Sequence, residues 1–337
     1  MADLTEFTEA DEVADLRRAL VNTQRQLARA KSRTDQLVEA TFDGARDAML
    51  AMGKVPPVAT PAADKRKRGA EVALWHLTDW QGSKVTPDYD SDVMRERVMR
   101  FTERARRITE IQREDHPVKD VVIAFGGDMV EGLWNYPAQL HEIDSTLFGQ
   151  FVTVSRLIVD VVRVALGIYE RVIVVPEWGN HGRIGSKRDH VPAADNMDRM
   201  CYEMARQLLA EEDRLTWPDC PTGIQRLEVG NYRALVCHGD EVGRTGYASP
   251  TTFQSWANRQ RVAYPWQFSD IYVGHYHRHA QEPLADGIGA IYWTGSTESS
   301  NGYALEGMAA SAEPSQRLHF VDPERGRVTS VHQIWLR

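Results

Sequence analysis

From residue 71 the chain alternates short β-type apolar runs with amphipathic helical stretches, and each of the first five runs ends in polar residues that can ligate a metal. The runs are 72–77, 121–125, 172–175, 234–237 and 271–273. Helical stretches lie between them at about 91–114, 146–168, 193–211 and 251–262. Strand–helix alternation of this kind argues for an α/β sandwich. The C-terminal segments HAQEPLADG, AIYWTG, QRLHFVD and VTSVHQIW read as successive strands, an antiparallel extension of a second sheet.

The five run ends carry Thr78-Asp79-Trp80-Gln81, Gly127-Asp128, Gly179-Asn180-His181, His238-Gly239-Asp240 and Gly274-His275-Tyr276-His277. In α/β sheets, functional groups gather at the carboxyl ends of strands. Carboxylate, amide oxygen and imidazole together suit Mn²⁺, Fe or Zn without thiolate. Such a set fits phosphate-ester hydrolysis. Two cations about 3.5–4 Å apart neutralise the ester's negative oxygens and hold an ionised water in line with the leaving group. One carboxylate must bridge both ions, and Asp128 is the candidate. His181, beside a ligand, is placed to give a proton to the leaving alkoxide.

In their order and spacing, DWQ, GGD, GNH, HGD and GHYH resemble the motifs of the calcineurin-like metallophosphoesterases, over about residues 70–300. The surroundings GDMVEG, NYPAQ and GNHGR look most like phage-encoded members. The resemblance implies an α/β fold of two mixed β-sheets sandwiched between helices. It implies that Asp79, Asp128 and His277 hold a first metal and that Asp128, Asn180, His238 and His275 hold a second. His181 would be the proton donor or transition-state stabiliser. Two divalent ions are expected, Mn²⁺ first, with Mg²⁺, Fe or Zn as alternatives.

The chain departs from the family pattern at two positions. Gln81 stands where the first motif usually ends in His; its neutral amide oxygen is a weaker ligand for Zn or Fe. A lower-affinity first site biased toward Mn²⁺ or Mg²⁺ follows, unless Gln81 leaves the metal shell. Gly182 stands where many relatives carry an acid after GNH, which puts the tuning of the proton donor in question rather than metal binding.

The loop after His181 carries Arg183, Lys187 and Arg188. Arg183 directly follows the motif and is read as a substrate-phosphate clamp; Lys187 and Arg188 read as solvated. Trp80, Trp134 and Trp178 border motifs and read as core or pocket wall rather than base-stacking platforms. Tyr276 alternates with the ligands and is expected to point away from them. His141 reads as structural, and Cys237 as a small core residue. Asp240 and Glu241 could support His238 or be plain loop acids.

Residues 1–52 read as helix, with a weak heptad seam at Val13, Leu16, Leu20, Thr23, Leu27, Ala30, Thr34, Leu37 and Thr41. Both a helix packed on its own domain and a homo-oligomerisation helix fit that seam. Residues 53–69, rich in Pro, Ala and charge, read as a linker ahead of a catalytic domain at 70–337. Its run Lys65-Arg66-Lys67-Arg68 reads as solvated rather than as a nucleic-acid contact.

Composition narrows the classes. The 337 residues carry a formal net charge of −8, against a generic DNA-coating protein. Residues 1–70 hold 12 Lys+Arg and 11 Asp+Glu, so the acidic excess lies wholly in the rest. No long apolar stretch exists to span a membrane. The acidic N-terminus lacks a secretory pattern. Three scattered cysteines suit a reducing compartment. A cytoplasmic location is expected, the host's if the protein is phage-encoded.

The leading functional expectation is a binuclear metal-dependent phosphoesterase acting on phosphodiesters, meaning nucleic acid or cyclic nucleotides. GNHG differs from the GNHE of protein phosphatases, and GDMVEG replaces their GDxxDRG. A phosphomonoesterase acting on nucleotides or DNA ends is the alternative within enzymes. A non-catalytic binding scaffold is the alternative outside them.

Overall fold

The computed structural model describes residues 4–51, 53, 55–133, 135, 139–184, 195–220, 222–242, 249–263, 266–284, 287–300 and 313–337; in the first helix, side chains are described at 20–26, 29, 33 and 36–51. Trp134, Lys187 and Arg188 lie outside the described residues.

The fold is α/β with two mixed sheets. In the six-stranded sheet, β1 (Glu71–Leu77), β2 (Val118–Gly126), β3 (Arg171–Glu177) and the short β4 (Leu215–Thr216) run parallel. The five-stranded sheet has the order β5 (Ile224–Val229), β6 (Tyr232–Cys237), β7 (Asp270–Val273), β9 (Ala290–Trp293), β8 (Ala280–Pro283), with β6, β7 and β9 parallel. The last two strands, β10 (Ser315–Asp322) and β11 (Arg327–Trp335), do not extend this second sheet as expected. They close the first, β10 pairing antiparallel with β1. Alternation alone does not say which sheet a strand joins. β10 is buried at every position but the last because it covers what would otherwise be the open edge of β1.

Side chains alternate between layers with the period of two that strands impose. Ala73, Trp75 and Leu77 of β1 and Val121, Ile123 and Phe125 of β2 face a helical layer. That layer holds α2 (Ser91–Arg113), α3 (Leu147–Ile168) and α4 (Met197–Leu208). Val72, Leu74, Val122 and Ala124 face the other way, onto Ala234, Val236 and Tyr272 of the second sheet. That sheet's far side, Leu235, Cys237, Ile271 and Trp293, is covered by Phe253 and Trp256 of α5 (Pro250–Ala263). The order is therefore helix, sheet, sheet, helix. Asp90, Thr146 and Asn196 cap α2, α3 and α4 through side-chain oxygens that accept backbone amides. Among the described residues, no helix is long and apolar enough to cross a membrane.

The first helix, α1 (Leu4–Ala51), is one 48-residue element. Val38, Ala45 and Met49 are buried in the first core with Phe42 packed beside them. That is the 4-3-4 spacing of a helix face docked on its own domain. Leu20 and Leu37, on the heptad seam, are 58% and 59% exposed. Residues 55–69 have no helix or strand but are laid along the domain. Val58 N donates to Glu212 Oε1 (2.6 Å), Asp64 N to Glu170 Oε1 (2.9 Å) and Arg214 Nη2 to Val58 O (2.9 Å). The exposed Lys65–Arg68 run precedes β1, whereas the ligand residues follow its end. Seven residues of strand separate the two by about 23 Å.

Candidate metal centre

Asp79, Asp128 and Asn180 follow the carboxyl ends of β1, β2 and β3, and His238 and His275 those of β6 and β7. Parallel strands of both sheets thus deliver them to one edge. All eight residues read from sequence as metal ligands or proton donor meet there. Asp128 is central. Its Oδ2 lies 3.0 Å from His238 Nε2, 3.4 Å from Gln81 Nε2 and 3.9 Å from His181 Nε2. On one side, His277 Nε2 is 3.2 Å from Asp79 Oδ1 and 3.3 Å from Gln81 Nε2. On the other, His238 Nε2 is 3.0 Å from Asn180 Oδ1. Asp128, His238 and His275 offer three ligand atoms within 4.8 Å of one another. Asp128 therefore reaches both groups, the placement that a bridging carboxylate needs.

The backbone is strained where the candidate ligands sit. Asp79, Gln81, Asp128, His275 and His277 all have left-handed φ, between 49° and 64°. Only two other described non-glycine residues, Ser83 and Ser300, share that region. Side chains rarely adopt it, and each instance costs on the order of 1 kcal/mol or more. Gln81 carries the same strain as the four residues around it, so the turn still aims that side chain inward.

Buried charge is concentrated here. Asp79 and Asp128 are fully buried. Burial would raise their pKa, but His277 beside Asp79 and His238 and His181 beside Asp128 hold both carboxyls below the usual range. Burial would lower the imidazoles, but Asp128 and Glu131 lift His181 to about 9, and Asp79 lifts His277 to about 10. His275, desolvated and next to His238, falls to about 4. Buried carboxylates at this density call for cations. The donor set fits divalent ions: two carboxylates, two amide oxygens and three imidazoles. Gln81 Oε1 is buried without a hydrogen-bond partner. The amide's other end, Nε2, faces Asp128 and His277, so a turn of the amide about its last torsion would present Oε1 to an ion there.

Sequence reasoning missed three acids. Glu131, buried three residues after Asp128, sets Oε2 3.2 Å from His181 Nδ1. Its Oε1 accepts from Lys84 Nζ at 3.3 Å. This acid, not one at 182, backs the proton-donor candidate. Gly182 has no room for one, because a Cβ there would meet Asn196 Oδ1 at 2.5 Å. Asp198 is the second. Its carboxylate accepts from the amides of Asp128 (2.8 Å), Met129 (3.0 Å), Val130 (3.1 Å) and Gly179 (2.8 Å), joining the GGD and GNH turns. Those turns touch so closely that a Cβ on Gly179 would lie 2.0 Å from Asp128 Oδ1. Glu298, the third, sets Oε2 3.1 Å from His277 Nδ1. A buried acid three residues past Asp128 in one turn was a readable signal for Glu131; no local pattern marks the other two.

Arg183 stands apart from the eight. Its Nη2 donates to Asp240 Oδ2 at 2.5 Å, tying the GNHGR turn to the HGD turn. Trp80 and Trp178 are buried core residues, as is Cys237. Tyr276 packs toward Phe253, ring centroids 5.7 Å apart. His141 ends a 3₁₀ turn (Gln139–His141) and is exposed.

No family model matches the chain, and no curated protein does. Among solved structures, Vps29 complexed with Zn²⁺ from Entamoeba histolytica is 10% identical over 79% of this chain and 99% of its own, at a TM-score of 0.35. A hypothetical protein from Pyrococcus horikoshii is 12% identical over 79% and 89%, at 0.39. The 5'-nucleotidase of Candida albicans is 11% identical over 83% of this chain and 53% of its own, at 0.38. Superpositions this loose add nothing on function, which rests on the geometry above.

Proposed function

We propose that the chain is a metal-dependent phosphoester hydrolase using two divalent ions, Mn²⁺ first, and acting on phosphodiesters of nucleic acid or cyclic nucleotides. The observation that carries the reading is Asp128 standing between two ligand groups, with the Glu131-backed His181 imidazole beside it. Asp79, Gln81, Asp128 and His277 would hold one ion; Asp128, Asn180, His238 and His275 the other. When bound, such ions neutralise phosphate oxygens and ionise a water. The chain's own part is to orient and to move a proton. Glu131 faces His181 Nδ1 with its carboxylate at 3.2 Å and its backbone carbonyl at 3.3 Å, leaving the Nε2 proton for the leaving-group oxygen. Arg183, anchored by Asp240, is held at the rim with its other guanidinium nitrogens as a clamp for a substrate phosphate.

The retained backbone strain favours an active centre over an idle scaffold, because a chain relieved of function has no reason to keep it. The acidic catalytic part and the distance of the basic run from the centre leave the ions and Arg183 to attract a polyanion. The exposed Leu20 and Leu37 support homo-oligomerisation through α1; sedimentation of Leu20→Glu against wild type tests it, a dimer that dissociates being the expected result.

Activity is tested in Mn²⁺ on p-nitrophenyl phosphate, bis-p-nitrophenyl phosphate, 2′,3′-cyclic AMP and single- and double-stranded DNA, with Asp128→Ala as the control. Turnover of the diesters that Asp128→Ala abolishes is expected. Turnover of the monoester alone moves the assignment to a phosphomonoesterase. No turnover above the control on any substrate makes the protein a binding scaffold.

A further inference from the structure

The segment Thr294–Ser299 follows β9 and contributes no residue to the ligand set, yet it is bound to the turn that carries Asp79 and Gln81. Ser296 Oγ donates to Asp79 O (2.6 Å) and accepts from Glu298 N (2.8 Å). Thr297 N donates to Asp79 O (3.3 Å), and Thr297 Oγ1 to Trp80 O (3.2 Å). From α2, Arg97 Nη1 donates to Thr297 O (2.7 Å) and Ser299 Oγ (2.8 Å). The side chain so delivered is Glu298, 4% exposed, with Oε2 3.1 Å from His277 Nδ1.

We propose that Glu298 is the positioning residue for the Asp79 side of the centre: it holds the proton on His277 Nδ1, so that a divalent cation displaces the Nε2 proton to solvent and takes that nitrogen between Asp79 and Gln81. This rests on reading these residues as a metal centre. A neutral imidazole has one donor and one acceptor nitrogen, and the hydrogen bond at one decides the role of the other. A carboxylate at Nδ1 also makes Nε2 a stronger donor to a metal. His238, on the other side, is held differently: its Nδ1 lies 2.8 Å from the neutral carbonyl of Gly126. The carboxylate on His277 stands on the side where Gln81 replaces an imidazole, and it offsets the weaker ligand there.

The test is calorimetric titration of Mn²⁺ into the full chain, with thermal melting of each chelated protein. In wild type two binding events are expected. Glu298→Ala weakens one of them about 10–100-fold and leaves the other within about threefold. The isosteric Glu298→Gln, which keeps an acceptor but not the charge, falls between. Unchanged affinities in Glu298→Ala overturn the inference while leaving the hydrolase reading intact. So does equal weakening of both events alongside a lowered melting temperature, which marks a purely structural role. If Glu298→Ala does not fold, Glu298→Gln carries the same comparison. Absence of Mn²⁺ binding by wild type overturns both.

Discussion

Glu131 Oε2 lies 3.2 Å from His181 Nδ1, and the ring's other nitrogen points toward Asp128. Burial opposes a charge on this ring, but the two carboxylates outweigh it and raise its pKa from 6.5 to about 9. A group whose folded pKa is raised contributes stability that is complete below its unfolded value and is lost as pH rises through the folded one. The chelated protein should therefore melt at falling temperatures between about pH 7 and 9.5, and Glu131→Gln should flatten that slope. Melting curves in chelator across this window check it; identical slopes contradict the role of the pair.

Replacing the imidazole separates proton transfer from metal binding. His181→Asn should lower kcat by about 10²–10⁴ and leave Mn²⁺ affinity nearly unchanged. Steady-state hydrolysis of bis-p-nitrophenyl phosphate and metal titration on one preparation measure both. An equal loss of affinity would make His181 a ligand.

Asp198 supports two turns at once. Asp198→Asn leaves a single acceptor oxygen for four buried amides, and unsatisfied buried donors cost about 1–3 kcal/mol each. A loss of about 2–4 kcal/mol in urea unfolding is expected, with weakened Mn²⁺ binding although the residue is not among the candidate ligands. Wild-type stability would show that the turns hold without it.

Gln81 sits in a costly backbone conformation. Its φ of 49° suits glycine. Gln81→Gly should stabilise the chelated protein by up to about 1 kcal/mol and weaken the first ion. Gln81→His should strengthen Zn²⁺ binding there. If Gln81→Gly binds both ions as wild type does, the side chain lies outside the metal shell.

Much of this was legible before the fold was known. The five apolar runs fall within β1, β2, β3, β6 and β7, because strands buried on both faces read as continuous apolar segments. Their polar ends converge because parallel strands bring their carboxyl ends to one edge. Two of the three supporting acids were not legible. Glu298 and Asp198 are two among 48 acids, and their roles depend on contacts with turns far away in sequence. The segment QRLHFVD reads as a strand without naming β1 as its partner, since pattern gives a strand's existence and leaves its neighbour open. The departure at Gly182 made sense only once Asn196 was seen to fill the space beside it.

The division of the ligands between the two sheets has a mechanical consequence. Asp79, Gln81, Asp128 and Asn180 hang from the first sheet, while His238, His275 and His277 hang from the second. An ion gripped by both sets is a reversible cross-link between the layers, placed at the rim of the sandwich where the apolar filling ends. On the proposed reading, occupancy would govern how tightly the layers are held together as well as hydrolysis. Chelation should raise hydrogen exchange along the seam from β2 to β6 before it reaches the helical faces.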